Sequence, residues 1–319
     1  MPAAMIEHTP VLMNEAIGAL NVRPGGIYVD CTVGLGGHAR EILDRLDGRG
    51  RLVALDRDPE TLEQARDALA DFTATLSTYR ENFKNLPLLL NRLDIPSIDG
   101  CLVDLGVSRY QLTDPARGFS FRESGPLDMR MDRDQKTSAA DLVQRLSAQE
   151  LTDLFRRFGE EPEAARIART LVEQRRHTRF RTTDELADFV ARVKRRRSQL
   201  HPATLVFQAL RIAVNQELDD LDRFLSRAIQ CLSPGGRLVV ISFHSLEDRI
   251  VKRTFQLESG KCICFQPGDR CRCPRIKNVE ILTRKPVTAS EAELAHNPSS
   301  RSAKMRAVER IPDPEHRKE

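Results

Sequence analysis

Tyr28-Val-Asp-Cys-Thr-Val-Gly-Leu-Gly-Gly-His38, followed one helix length later by Arg51-Leu-Val-Ala-Leu-Asp-Arg-Asp58, decides how this chain folds. Ile27 to Val29 form a short apolar strand, and the glycines after it, Gly34, Gly36 and Gly37, let the backbone pass close to a ligand. His38 to Leu46 read as a helix, and Arg51 to Leu55 as a second strand ending on Asp56. Asp56 comes about 20 residues after the first glycine, where a carboxylate accepts hydrogen bonds from both hydroxyls of a ribose. Strand, glycine loop, helix and acid together describe a site for an adenosine cofactor.

Two cofactors fit that outline, because Gly34-x-Gly36-x-x-Ala39 also satisfies the dinucleotide fingerprint. Asp30 separates them. An acid at the mouth of the loop repels a pyrophosphate and suits a cationic amino-acid head group, which S-adenosylmethionine carries. The plainer alternative is a tight turn at the glycines, with Asp30 capping the following helix.

Composition narrows the class. The chain has 319 residues, 40% of them hydrophobic, enough for one large domain or two with a real core. Its net charge of +4 comes from 50 basic and 46 acidic residues, unevenly spread, which suggests a local polyanion footprint. Arg192, Lys194, Arg195, Arg196 and Arg197 form one basic run, which also reads as a solvated helix end; Arg301, Lys304 and Arg306 form another. Met1 to Glu15 lack a basic start and a long apolar core, and no apolar run approaches membrane-spanning length. The expectation is a soluble cytoplasmic protein with no membrane partner. An odd count of seven cysteines agrees.

Strands near 27–30, 51–55, 75–79 and Ile98 to Asp104 alternate with helices and predict a parallel sheet with ligands at its carboxyl edge, where Asp30, Asp56 and Asp104 all fall. From about Asp114 the pattern turns helical. Ser147-Ala-Gln-Glu150 and Thr182-Thr-Asp-Glu185 are capping boxes, and Ala164, Ile167, Ala168, Leu171 and Val172 recur at helical spacing. A further helix is expected from after Pro202 towards Leu232. Ser233 to Phe243 restore the strand pattern, and Val279 to Thr283 with Met305 to Ile311 predict a closing pair of strands. The reading is therefore an α/β chain in which residues 1–112 and 205–319 build a Rossmann-like seven-stranded sheet of the methyltransferase type, interrupted by an all-helical insertion over 113–204.

The motifs also carry a resemblance. His8-Thr-Pro-Val-Leu12, Asp30 to His38, Asp104-Leu-Gly-Val-Ser108, Arg117-Gly-Phe-Ser-Phe121, Gly125-Pro-Leu-Asp-Met-Arg-Met-Asp132, His201-Pro-Ala-Thr204, Phe207 to Ile212, Ile241 to Arg249 and Asn297-Pro to Arg306 resemble the bacterial small-subunit ribosomal RNA cytosine-N4 methyltransferases over nearly the whole chain. The resemblance implies S-adenosylmethionine as cofactor and a cytidine of the decoding region of small-subunit (16S) ribosomal RNA as substrate, with the insertion reading the RNA. It places Gly36, Gly37 and His38 against the cofactor, Asp56 on its ribose, Phe83 and Asp104 around its base, and Gln111 at the entrance. Arg109-Tyr110 departs from the family's more usual pattern before Gln111.

The substrate sets the chemistry. The lone pair of a cytosine N4 amine is delocalised into the ring, so transfer needs alignment and a proton acceptor. Asp104 is the first candidate and His244, after the fifth strand, the second; a histidine bonded to backbone in a turn is the alternative for His244. Cys31 and Cys101 are read as packing residues, because N4 transfer needs no attack on the ring. Cys262-x-Cys264 and Cys271-x-Cys273 could hold a loop-stapling metal or stay as four thiols; no metal is assigned to the active site. The oligomeric state, a homodimer included, is left open.

Overall fold

The computed structural model describes residues 10–196, 199–264 and 276–312. The chain divides into two compact units, Met1–Gly106 with Leu218–Glu319, and Val107–Glu217. In chain order the first unit holds α1 (Met13–Leu20), β1 (Ile27–Asp30), α2 (Gly37–Leu46), β2 (Arg51–Asp56), α3 (Pro59–Ala68), β3 (Leu76–Arg80), α4 (Leu86–Arg92) and β4 (Ile98–Asp104). The second unit holds α5 (Arg109–Thr113), α6 (Ala139–Arg145), α7 (Ala148–Gly159), α8 (Ala164–Gln174), α9 (Thr183–Val193) and α10 (Thr204–Asn215). The first resumes with α11 (Glu217–Cys231), β5 (Leu232–Ser242), α12 (Ser245–Glu258), β6 (Val279–Ile281), α13 (Glu291–His296) and β7 (Lys304–Arg310).

The seven strands form one sheet in the order β3-β2-β1-β4-β5-β7-β6. The pairings from β3 to β5 are parallel, and β7 runs antiparallel to both β5 and β6. This is the doubly wound sheet expected, closed by the late strand pair. Side chains alternate between two cores, as the strand repeat of two requires. Val29, Cys101, Val103, Leu238, Val240 and Val308 face α4, α11 and α12 through residues such as Leu90, Phe224 and Phe255. Tyr28, Leu102, Val239, Ile241, Met305 and Ala307 face α1, α2 and α3 through Ile17, Ile42 and Leu62. Burial on both sides explains the near-continuous apolar runs of the central strands. Gly100 is required where it stands, because a Cβ there would lie 2.8 Å from the Tyr28 ring.

In the second unit the expected caps are present. Ser147 with Glu150 and Thr182 with Glu185 close reciprocal boxes at the starts of α7 and α9. Ala164, Ile167, Ala168 and Leu171 are buried on α8. The unit runs from 107 to 217, wider than 113–204, because α10 contributes Val206, Phe207, Ala209 and Leu210 to its core. The single long helix expected after Pro202 is two helices: Gln216 adopts φ 51°, ψ 35°, a left-handed conformation that ends α10.

The two glycine-containing motifs of this unit fold around one arginine. Arg117 is 1% exposed, and its Nη2 donates to the carbonyls of Arg130 and Met131 at 3.0 and 3.1 Å. A Cβ on Gly125 would stand 1.8 Å from the Pro115 carbonyl oxygen. Lys194, read from sequence as a surface cation, is buried against Glu161, Nζ to Oε2 2.8 Å, with side chains 4% and 0% exposed.

Candidate active site

The sheet order reverses between β1 and β4, so the carboxyl ends of these two strands flank the crevice where doubly wound sheets take ligands. Asp30 and Asp104 end those strands, and Asp56 ends β2 alongside. Backbone bonds draw the ends together: the Cys31 N–H donates to the Leu102 carbonyl at 2.9 Å, and the Asp104 N–H to Thr32 Oγ1 at 2.7 Å.

The glycine loop leans on β2. Val33 N–H donates to the Leu55 carbonyl at 2.8 Å, and Gly34 N–H to Asp56 Oδ2 at 3.2 Å. Asp56 Oδ1 accepts from the Asp58 N–H at 2.9 Å, so the carboxylate is oriented by two backbone donors. Gly34 and Gly36 hold φ of 54° and 86°, which side chains rarely adopt. Gly37 opens α2, and a Cβ there would lie 2.2 Å from Pro10 Cγ, so this glycine also makes room for the chain before α1.

Three carboxyl groups titrate above their ordinary range. Burial is the first cause for each. It pushes Asp30 up to about 7, opposed by the Thr32 N–H and reinforced by Asp56. Asp56 is pushed up to about 6, with the Asp58 N–H opposing. Asp104 is raised well above the usual carboxylate range, and the charges of Asp30 and Glu247 add to its burial. Asp30 Oδ2 and Asp104 Oδ1 are both buried without a hydrogen-bond partner. Buried polar atoms are normally paired, and an orphaned pair at a crevice mouth marks a place built for a donor that arrives with a ligand.

His38 joins this group. It is 6% exposed, its Nε2 lies 3.1 Å from the Val11 carbonyl, and its Nδ1 lies 3.8 Å from Asp104 Oδ2. Phe83 sits after β3, half-buried, with its ring edge-on to Phe224 at 5.0 Å between centroids. Buried Asp220 anchors the same turn through Asn82 and Lys84, at 2.7 and 3.0 Å.

His244 is the N-cap of α12. Its Nδ1 accepts from the Glu247 N–H at 3.4 Å, which puts the ring proton of the neutral form on Nε2. Nε2 lies 3.3 Å from Glu247 Oε1 without the alignment of a hydrogen bond. Gln111 belongs to the second unit, where it is 3% exposed and its Oε1 accepts from the Ser108 N–H at 2.9 Å in the cap of α5.

The structure thus brings Asp30, His38, Asp56 and Asp104 to one edge and adds Thr32 and Glu247, which the sequence reading did not single out. Glu247 is 2% exposed, and its Oε2 accepts from the Phe243 N–H at 2.8 Å. Its sequence signal was His244-x-x-Glu247, a capping box with an unusual first residue. Cys31 and Cys101 are buried with sulfurs 3.5 Å apart, and burial raises the Cys31 thiol well above its usual range, so it stays protonated and un-nucleophilic. Cys262 and Cys264 lie with sulfurs 3.2 Å apart, while Cys271 and Cys273 fall outside the described residues.

The sequence pattern of the MraW methylase family matches residues 5–311. Ribosomal RNA small subunit methyltransferase H of Syntrophotalea carbinolica is 48% identical over 314 residues, covering 98% of this chain and 100% of the relative. The protein of the same name from Thermomicrobium roseum is 48% identical over 305 residues, covering 95% and 94%. That from Halothermothrix orenii is 43% identical over 310 residues, covering 96% and 99%. With a match of this extent, the chain belongs to the MraW methylase family.

Proposed function

We propose that this protein methylates the N4 amine of a cytidine in small-subunit ribosomal RNA, using S-adenosylmethionine. The observation that carries the reading is the orphaned carboxyl pair at the switch point, Asp30 Oδ2 and Asp104 Oδ1. It fits a ligand that brings cationic and amine donors. When bound, the cofactor supplies an electrophilic methyl group.

The residues divide the work. Asp30 holds the cationic amino-acid head and Asp56 the ribose hydroxyls, with its carboxylate pre-set by the Gly34 and Asp58 N–H groups. Phe83 offers a flat apolar face to the adenine, and its position is fixed by Phe224 behind it. Asp104 receives the N4 proton at Oδ1 as the amine loses its delocalised lone pair to the new bond. A carboxyl that titrates high is a stronger base once ionised, which is the direction this step requires. His244 is assigned a positioning role, because its Nδ1 lone pair is committed to the cap of α12. Its neighbour Glu247 is one of the charges that raise Asp104.

The second unit is assigned to RNA recognition. No described helix is long and apolar enough to cross a membrane, and the reading places the enzyme where ribosomal subunits are assembled, in the cytoplasm. Mass mapping of ribosomal RNA from a strain deleted for this protein tests the proposal: one N4-methyl group should vanish from small-subunit RNA and return on complementation. An unchanged modification map would reject it.

A further inference from the structure

α12 and the β6 to β7 strand pair enclose a cleft of about 170 Å³, apart from the strand-end site. Phe255 and Ile281 line it with apolar surface, and Lys252, Lys261, Arg284 and Arg306 line it with positive charge. Arg306 is 7% exposed and fixed by Asp248, with Nε to Oδ1 at 2.6 Å and Nη2 to Oδ2 at 3.2 Å, which leaves its Nη1 hydrogens uncommitted. Lys252, Lys261 and Arg284 are exposed, and among the described residues none of the three forms an ion pair. Glu280, already paired with Lys277, is an acid whose field reaches Lys261 and Arg284. Thr283 Oγ1, also in the lining, accepts from the Ala307 N–H at 2.9 Å, so its hydroxyl hydrogen remains to donate.

Cations and donors around an apolar floor suit an anion that carries an organic body. A bare inorganic ion would leave Phe255 and Ile281 uncovered, whereas a nucleotide unit places phosphate on the cations and sugar or base on the floor. Position agrees. Met305 pairs with Ile241, which pairs with Asp104, and Arg306 follows Met305. Two strand spacings, about 10 Å, therefore separate the Asp104 backbone from that of β7.

We propose that this cleft binds a phosphodiester of the RNA strand that flanks the target nucleotide. The inference rests on the RNA-methylating reading above.

The test uses the full chain with Lys252→Glu, Lys261→Glu and Arg284→Glu combined, and a milder variant with Gln at the same positions. Binding to purified small-subunit ribosomal RNA is measured by filter retention over a range of salt, with cofactor affinity and thermal melting in parallel. The Glu variant should bind RNA at least about tenfold more weakly. The Gln variant should show a log-log salt slope shallower by about 2, since three lost phosphate contacts count roughly 0.7 each on a single strand. Cofactor affinity should stay at the wild-type value for the Gln variant. Wild-type RNA affinity and slope in the Gln variant would overturn the inference and leave the methyltransferase reading intact. A wild-type chain that binds no RNA would overturn both.

Discussion

His38 and Asp104 face each other with Nδ1 and Oδ2 3.8 Å apart, while the opposite ring nitrogen of His38 lies 3.1 Å from the Val11 carbonyl. A carbonyl only accepts, so Nε2 donates and Nδ1 is the nitrogen turned towards Asp104. The contact ties the segment before α1 to the end of β4. Leu12 continues the tie, its N–H donating to Glu293 Oε1 at 2.8 Å on α13. His38 thus orients the carboxyl assigned to the proton, and the glycine loop, α1 and β4 converge on one pair.

Asp56→Ala should weaken S-adenosylmethionine binding by about 2–4 kcal/mol, because it removes two charged hydrogen bonds to ribose. The same change releases the Gly34 N–H, so Asp56→Asn should recover part of the loss. Calorimetry reads both. Equal affinity in wild type and Asp56→Ala would reject the assignment of the second-strand acid.

Asp30→Asn should stabilise the cofactor-free protein at pH 8. In the fold Asp30 titrates at about 7, above its ordinary value of 3.8. The folded state therefore holds the proton more tightly than the unfolded chain, and stability falls as pH rises from about 4 to about 7. The amide removes this penalty, worth on the order of 1–4 kcal/mol above the window and nothing below it. Thermal unfolding at pH 8 and near pH 4 checks the sign, and a lower melting temperature for the variant at pH 8 would contradict it. Cofactor affinity should fall in the same variant.

Phe83→Leu should keep the contact with Phe224 largely filled yet remove the aromatic face. Cofactor affinity should drop by about 0.5–1.5 kcal/mol with a small change in melting temperature. A large loss of stability with unchanged affinity would make Phe83 a packing residue only.

Lys194→Ala should destabilise the protein by about 3–5 kcal/mol, since it leaves Glu161 buried without its cation. Arg196→Ala, at an exposed neighbour, should change stability by less than about 0.5 kcal/mol. Denaturant titration separates the two. Equal, small effects would return Lys194 to the surface role that its basic neighbours suggest.

These contrasts show what was legible in the chain. Asp30, Asp56 and Asp104 could be read because each ends an apolar run at a strand boundary, a local pattern that the sheet turns into a shared edge. The capping boxes at Ser147 and Thr182 are equally local. Lys194 was misread because its partner Glu161 is 33 residues away and nothing beside Lys194 announces it. The break between α10 and α11 was missed because Gln216, not glycine, takes the left-handed conformation. Glu247 went unnoticed because histidine is a rare first member of a capping box. Gly37 was read for its closeness to a ligand, but its contact with Pro10 depends on tertiary packing that spacing does not encode.

The central claim, that Asp104 serves methyl transfer to RNA, is tested most directly by a single-turnover comparison. Wild-type and Asp104→Asn protein are incubated with small ribosomal subunits lacking the modification, at saturating S-adenosylmethionine, and N4-methylcytidine is followed by mass spectrometry. Saturation separates a rate effect from any loss of cofactor affinity. The account predicts methylated cytidine with the wild type and a rate about 10²–10⁴-fold lower with the variant. No methylated cytidine with the wild type, or a variant rate within a few-fold of it, would contradict the account.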